Sequence, residues 1–422
     1  MKKAEKLAII ADDFTGAGDA GIHFALGGSR ADLILNIASL ASVQKEQDAV
    51  AITTETRFLS AEDAAKTVSR TIGLCREAGY GSIYKKIDST MRGNPGSEIE
   101  AALAATGQTA AIICPAMPET GRICVRGAIW IHGKPLHLSD IGKDPFHPLA
   151  TSSIAELLQS QTALGMGTLD LEDIEAGESH LSKRLDALVA EGRRLVIADA
   201  SEFSHMSTLA RLVMSKDLLP VGAGGFARAL ADEWARGKTG RPETVSLDGP
   251  LLAIVGSLTP VSLAQAKRAE QSGLFTVITL KAGGSHDEMR AKCEKILAEA
   301  GMQEPNVLLC IKADGDNPPV SPREGERVSA LLGATAAEIC SITSCRTVFS
   351  TGGSTAIAVA EALGIRSVHL ITELLPGIVL GKCQKNTNGI DGFISKAGGF
   401  GPEDLLIDIT SRIKTPCLAE RL

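Results

Sequence analysis

Aromatic residues are scarce in this chain: 3% of its 422 residues, with two Trp and two Tyr. A base-stacking platform needs several aromatic rings, so that mode of nucleic-acid binding is excluded. Positive charge is not in excess either. Lys plus Arg number 43 against 50 Asp plus Glu, a net charge of −7. That balance removes bulk attraction to a phosphate backbone, and nucleic acid is not an expected partner. No Cys-x-x-Cys pair occurs among the nine cysteines at 75, 114, 124, 293, 310, 340, 345, 383 and 417. Buried, reduced thiols are expected rather than disulfides or zinc. Long apolar runs are also missing. The first one, in MKKAEKLAIIADD, stops after five residues at Asp12, short of a signal-peptide core. The least charged stretch, Gly249 to Ala266, contains Ser257, Thr259, Pro260 and Gln265 and reads as strand, turn and helix, not as a membrane span. The expectation is a soluble, cytoplasmic protein with no membrane partner.

What is present is ordinary globular material: 44% hydrophobic, 22% charged, and 43 Gly to make turns. The length is about three times the ~150 residues of a typical domain, which favours two domains. Short apolar runs fall at Leu7–Ala11, Asp32–Leu35, Ala49–Thr53, Ser82–Ile87, Ala110–Cys114, Leu195–Ala198, Leu251–Val255, Phe275–Leu280, Val307–Cys310, Thr347–Ser350 and Ser367–Leu370. Amphipathic stretches such as Ala61–Glu77 and Pro260–Gln271 lie between them. This alternation predicts an α/β fold, two domains each with a largely parallel or mixed sheet flanked by helices. Ala128–His137 reads differently, as a β-hairpin turning at Gly133-Lys134. The Gly- and Pro-rich segment Gly237–Pro250 is the expected boundary, giving domains at 1–240 and 250–422.

Ligands in open α/β sheets bind beyond the carboxyl ends of strands, so the turns there carry the functional signal. The first turn, IIADDFTGAGDAG, formally contains GxGxxG at Gly16, Gly18 and Gly21. A dinucleotide reading, and with it an NAD(P)-dependent hydroxy-acid dehydrogenase, has two features against it. Asp12 and Asp13 would place negative charge by the pyrophosphate, and the second strand ends at Asn36 where an acidic residue should meet the ribose. Carboxylates at a strand end suit hydroxyl binding, general-base work or a hydrated cation, with Asp12 the functional candidate and Asp13 the helix cap.

The second turn, SIYKKIDSTMRGNPGSEIE, clusters Lys86, Asp88, Ser89, Thr90 and Arg92 where a strand should end. Strand alternation puts Tyr84, Lys86 and Asp88 on one face and Lys85, Ile87 and Ser89 on the other. The set suits a small polyhydroxy acid as well as a structural ion pair. Arg57, after another strand, could clamp a carboxylate with its planar fork or be a plain surface residue. The third turn, CRTVFSTGGSTAIAVAEAL, sets Gly352, Gly353, Ser354 and Thr355 at a helix start, an anion cradle but not a Walker A loop, since GK[ST] is missing. Ser257 in LLAIVGSLTP and Gly398-Gly399 in ISKAGGFG add two similar turns, and three in one block point to a nucleotide site. His132, His137 and His147 lack metal-ligand spacing on one helix, and no GxSxG nucleophile elbow occurs.

ADDFTGAGDAG, YKKIDSTMRGN, CPAMPETGR with the later GKDPFHP, TGGSTA, PGIVLG and KAGGFG, taken as an ordered set from residue 11 to 401, resemble the four-carbon acid sugar kinase family, most closely its D-threonate and D-erythronate kinases. The resemblance implies an N-terminal domain for a four-carbon sugar acid, a C-terminal domain for ATP, and an active site in the interdomain cleft. It implies phosphorylation of the 4-hydroxyl, with D-threonate favoured and D-erythronate or 3-oxo-tetronate as alternatives. Acid contacts carry over to Asp12, Arg57, Lys86, Ile87, Asp88 and Ser89, and ATP contacts to Ser257, Gly352, Gly353, Ser354, Thr355 and Gly399. Asp12 or Asp88 would take the hydroxyl proton, and Lys86 or Arg57 would hold the substrate carboxylate. Mg²⁺ would be bound mainly through ATP, with no protein metal site. Partners are then a sugar acid and ATP, with room for a homo-oligomer. A non-catalytic sugar-acid sensor that closes on its ligand is the reading from a different class.

Overall fold

A computed structural model of the protein describes residues 6–42, 47–143, 149–236, 247, 249–281, 290–291, 293–296, 298, 306–312, 322–384, 386 and 389–413. The chain divides into two compact units, residues 1–240 and 241–422. Most of the Gly237–Pro250 segment read as the boundary lies outside the described residues. Each unit is an α/β layer structure.

The first unit opens β1 (Leu7–Ala11), α1 (Phe14–Leu26), β2 (Ala31–Ile34), β3 (Ala49–Thr53), α2 (Ala61–Glu77), β4 (Ser82–Lys86), α3 (Pro95–Thr106) and β5 (Ala110–Cys114). After an antiparallel excursion, β6 (Arg122–Val125), β7 (Ala128–Ile131) and β8 (Lys134–Pro135), the chain continues as α4 (Ile154–Gln159), β9 (Gly165–Leu169), α5 (Leu171–Glu175), α6 (Glu178–Ala190), β10 (Arg193–Ala198), α7 (Phe203–Ser215), β11 (Leu218–Gly222) and α8 (Gly224–Ala235). The main strands run in the order β2-β3-β1-β4-β11-β5-β10-β9, every pairing parallel. Strands of such a sheet are covered on both faces, which explains why β1 and β5 are continuous apolar runs, and β3 one as far as Thr53, with no exposed residue.

β4 (SIYKK) obeys the same burial although it ends in two lysines. Lys85 is fully buried and pairs through Nζ with Glu98 Oε2 of α3 at 2.7 Å, while also donating to the Lys86 carbonyl at 2.8 Å. The expected strand over Ser82–Ile87 stops one residue early: Ile87 still donates its N–H to the Gly222 carbonyl at the end of the neighbouring strand, and the chain then turns. The hairpin is present, but its two-residue turn is His132-Gly133, both with positive φ, not Gly133-Lys134. It belongs to a separate three-stranded sheet with β6.

The second unit comprises β12 (Leu251–Val255), α9 (Pro260–Gln271), β13 (Phe275–Lys281), β14 (Asn306–Lys312), α10 (Pro322–Ile342), β15 (Thr347–Thr351), α11 (Gly353–Ala362), β16 (Ser367–Leu375), β17 (Ile378–Gln384), β18 (Gly392–Lys396) and α12 (Leu405–Ile413). Its order is β13-β14-β12-β15-β18-β17-β16, parallel up to β18 and antiparallel beyond it. Leu251, Ala253, Val255, Phe349, Leu380 and Ile394 from the sheet pack with Leu405, Leu406 and Ile409 of α12 in one core cluster. The eight cysteines among the described residues are free, and burial pushes the Cys75 and Cys114 thiols up to about 12, leaving them inert near neutral pH.

Candidate active site

In the first unit β3, β1 and β4 are neighbours, so the turns after them converge. The turn after β1 places Asp12 and Asp13. Asp13 caps α1: its Oδ1 accepts the Gly16 N–H at 3.0 Å and its Oδ2 the Thr15 hydroxyl at 2.6 Å. The three glycines of GAGDAG therefore lie inside a helix, not in a strand-to-helix turn as a dinucleotide loop requires. Gly16 has a different use. A Cβ there would stand 2.5 Å from Asp13 Oδ1 and 2.9 Å from Lys86 Nζ, so its bare backbone makes room for the lysine.

Arg57, from the turn after β3, ties the carboxylates together. Its Nε donates to Asp12 Oδ2 at 2.7 Å and an η nitrogen reaches Asp13 Oδ1 at 2.9 Å, with Asp88 Oδ1 at 3.9 Å. Asp13 thus does more than cap. Burial pushes its carboxyl up, but Arg57, Lys86 and the Thr15 hydroxyl outweigh that and hold it below the ordinary value. Asp12 Oδ1 is buried and has no hydrogen-bond partner among the described residues.

The turn after β4 brings the rest. Asp88 accepts from Arg92 Nε at 2.9 Å and Arg92 Nη2 at 2.8 Å, and from the Thr90 hydroxyl and N–H. Burial works against its charge, but Arg92, Arg57 and Thr90 together hold it well below the usual carboxylate range. Both its oxygens are committed, which makes it the poorer proton acceptor of the two aspartates. Lys86 is buried, donates to the Ile87 carbonyl at 3.0 Å and has Asp19 Oδ2 at 4.0 Å. Ser89 Oγ accepts from Arg122 Nη1 at 2.6 Å.

The structure therefore brings Asp12, Arg57, Lys86, Ile87, Asp88 and Ser89 together, and adds three residues that the turn motifs alone did not single out. Asp19 sits one helical turn beyond Gly16. Burial pushes its carboxyl up, with Lys86 pulling the other way. Arg122 comes from the excursion sheet, which Asp199 anchors by accepting the Arg126 and Gly127 N–H groups at 2.6 and 2.9 Å. Glu55 lies on the Arg57 turn with φ of 49°. Desolvation pushes its carboxyl up to about 7, against a hydrogen bond from Thr53 and with Asp13 adding repulsion. Only the CPAMPETGR motif held a signal for Arg122. Residues 144–148 of GKDPFHP, His147 included, lie outside the described residues. His132 sits in the hairpin turn, and His137 Nδ1 lies 2.8 Å from Ser152 Oγ.

In the second unit β12, β15 and β18 are adjacent, and the three glycine turns follow them. Gly352, with φ of 95°, starts α11, where Gly353, Ser354 and Thr355 form the first turn. That φ requires glycine, because a Cβ would be strained there. The Gly352 N–H donates to the Lys396 carbonyl at 3.0 Å, linking the second turn to the third. Thr259 caps α9 and donates its hydroxyl to the Gly398 carbonyl at 2.9 Å, linking the first to the third, with Ser257 Oγ 3.2 Å away. Gly399 faces open space: an added Cβ would meet no atom within 4 Å. The arrangement offers the free N–H groups of a helix start and two hydroxyls to an anion. Among the described residues no group of three or more His, Cys, Asp or Glu side chains is placed to hold a metal, and no helix is long and apolar enough to cross a membrane.

A family model described as a sugar-binding N-terminal domain matches residues 7–230, and one described as a nucleotide-binding C-terminal domain matches residues 252–406. A D-threonate kinase of Salmonella typhimurium is 30% identical over 421 residues, covering 96% of this chain and 97% of that protein. A D-threonate kinase of Bordetella bronchiseptica is 32% identical over 418 residues, 97% of each chain. A crystal structure of a Haemophilus influenzae protein shares the fold with a TM-score of 0.74 at 21% identity, covering 96% of this chain and all of that one. The class is thus a phosphotransferase with ATP as donor and an alcohol group as acceptor. Within that class, the chain belongs to the four-carbon acid sugar kinase family.

Proposed function

We propose that the protein is a cytoplasmic enzyme that transfers the γ-phosphoryl group of ATP to the 4-hydroxyl of D-threonate, giving 4-phospho-D-threonate and ADP. Residues 1–240 take the acid and residues 250–422 the nucleotide. The observation that carries the reading is Asp12: one carboxylate oxygen fixed by Arg57, the other buried without a partner at the carboxyl end of β1. A buried acceptor in that state is costly unless a ligand donor completes it, and a substrate hydroxyl is such a donor.

The substrate's 4-oxygen attacks Pγ, the bond from Pγ to the ADP oxygen breaks, and the hydroxyl proton passes to Asp12 Oδ1. Asp88, saturated by Arg92 and Thr90, holds the turn in place. Arg57 orients Asp12, which leaves Lys86 to meet the substrate carboxylate. Little covalent chemistry is asked of the protein in phosphoryl transfer, so positioning and charge stabilisation carry the catalysis. Ser257, Gly352 to Thr355 and Gly399 hold the nucleotide, and Mg²⁺ bound with ATP would offset the phosphate charge. The relatives' names favour D-threonate over D-erythronate and 3-oxo-tetronate. ADP release measured across those three acids, with Mg²⁺ present and then chelated, tests the reading. The expected result is the highest kcat/KM with D-threonate, lost on chelation. Absence of ADP with every acid refutes the reading, and a preference for another acid refutes the substrate.

A further inference from the structure

Lys396, the last residue of β18, has no role in the assignment above. Its side chain is almost wholly buried. Nζ donates to the carbonyls of Ala397 at 3.1 Å, Gly398 at 2.8 Å and Phe400 at 3.1 Å, and to Ser262 Oγ at 3.3 Å. Its own carbonyl accepts the Gly352 N–H. One residue therefore joins all three glycine turns: the first through Ser262, the second through Gly352, the third directly.

The contacts satisfy the ammonium's hydrogen bonds without cancelling its charge. Its neighbours are neutral: Ser262 and Gln265 from α9, Thr351 opposite it on β15, and Ile378 opposite it on β17. The charged residues of those elements and of neighbouring β16 are exposed, engaged or distant in register, Lys267 and Glu270 of α9 standing exposed. Arg268 of α9 pairs with Asp404, Lys382 of β17 stands opposite Gly392, and Glu373 of β16 accepts the Gly377 N–H. Among the described residues no carboxylate lies within ion-pair distance of Nζ. A buried cation without a counter-charge is costly, and burial alone pushes this one down to about 8. Three carbonyls hold it at the base of a cradle built for an anion.

We propose that Lys396 is a positioning residue for the nucleotide: it fixes the 397–400 turn and supplies the positive charge that the bound phosphates neutralise. The inference rests on the C-terminal unit binding ATP. The sign follows from linkage. Phosphates favour the ammonium, so binding raises the lysine's pKa, and affinity falls as pH rises through the free protein's value.

The test is ADP binding by calorimetry, at fixed Mg²⁺, from about pH 7.5 to about pH 9.5, where the phosphates are already fully ionised. The wild type is expected to lose roughly tenfold in affinity across that range, one pKa unit of coupling. K396R, charged throughout, should bind at the lower pH and show no such loss. K396M should bind roughly tenfold more weakly at the lower pH with a flat profile. A flat wild-type profile, or a K396R profile that falls like the wild type, overturns the proposal even if K396M does not fold. A wild type that binds no ADP at any pH overturns the nucleotide reading itself, which separates the two failures.

Discussion

Replacing Arg57 by Met removes the residue that compensates three buried carboxylates. The guanidinium lies 2.7 Å from Asp12, 2.9 Å from Asp13 and 3.9 Å from Asp88, and its side chain is 11% exposed, so solvent screens these contacts little. Removing one partner of a buried pair leaves the other charge stranded, at a cost of about 3–5 kcal/mol. Asp88 keeps Arg92 as a second partner, so the loss falls mainly on Asp12 and Asp13. For a unit of this size that cost lowers Tm by roughly 6–20 °C.

The pH dependence is diagnostic. Arg57 helps hold Asp13 and Asp88 below their unfolded values, so its contribution is present above the ordinary carboxylate range and fades as pH falls through their lowered values. In the variant the stranded carboxylates regain protons as pH falls, so the gap to wild type should be widest near neutral pH and shrink toward about pH 4. Circular-dichroism melts of both proteins at the two pH values measure it. A Tm difference under about 2 °C at neutral pH, or one that does not shrink in acid, would refute the reasoning.

Three further outcomes follow from the same geometry. Asp12→Asn should cut kcat about a hundredfold or more while leaving KM for ATP unchanged, and near-normal turnover would remove Asp12 from the base role. Gly399→Ala adds a methyl into open space, so chemical denaturation should place it within about 0.5 kcal/mol of wild type, yet KM for ATP should rise. An unchanged KM would take Gly399 out of the nucleotide contacts. Lys85→Met strands Glu98 in the core and should cost about 3–5 kcal/mol near neutral pH. Burial holds the Glu98 carboxyl high, so that cost shrinks as pH falls, and a melting-temperature gap to wild type that does not narrow in acid would contradict it.

Strands with uninterrupted apolar runs were legible to the residue: β1, β3, β5 and β12 lie where the periodicity puts them, as do helices α2 and α9. β9 (GMGTL), β11 (LLPVG), β17 (IVLGKCQ) and β18 (GFISK) were not, because glycine and proline inside a short strand read as turn signals. In β11 the penalty is met by close packing: a Cβ on Gly222 would stand 2.4 Å from the Cys114 carbonyl oxygen. Around Asp12 and Asp88, residues adjacent in sequence were found from their clustering at a strand end. Arg122 was not, because only the excursion sheet carries it to Ser89, 33 positions away in sequence. Lys396 was masked by its own motif, whose glycines drew the attention while the lysine reads as an ordinary strand-end charge.

Phosphorus–proton correlated NMR of the product formed from ATP and D-threonate tests the central claim most directly. The account predicts a phosphorus resonance coupled to the two protons on C4, appearing together with ADP. A phosphate coupled to any other carbon's protons, or ATP consumed with inorganic phosphate as the sole phosphorus product, would contradict it.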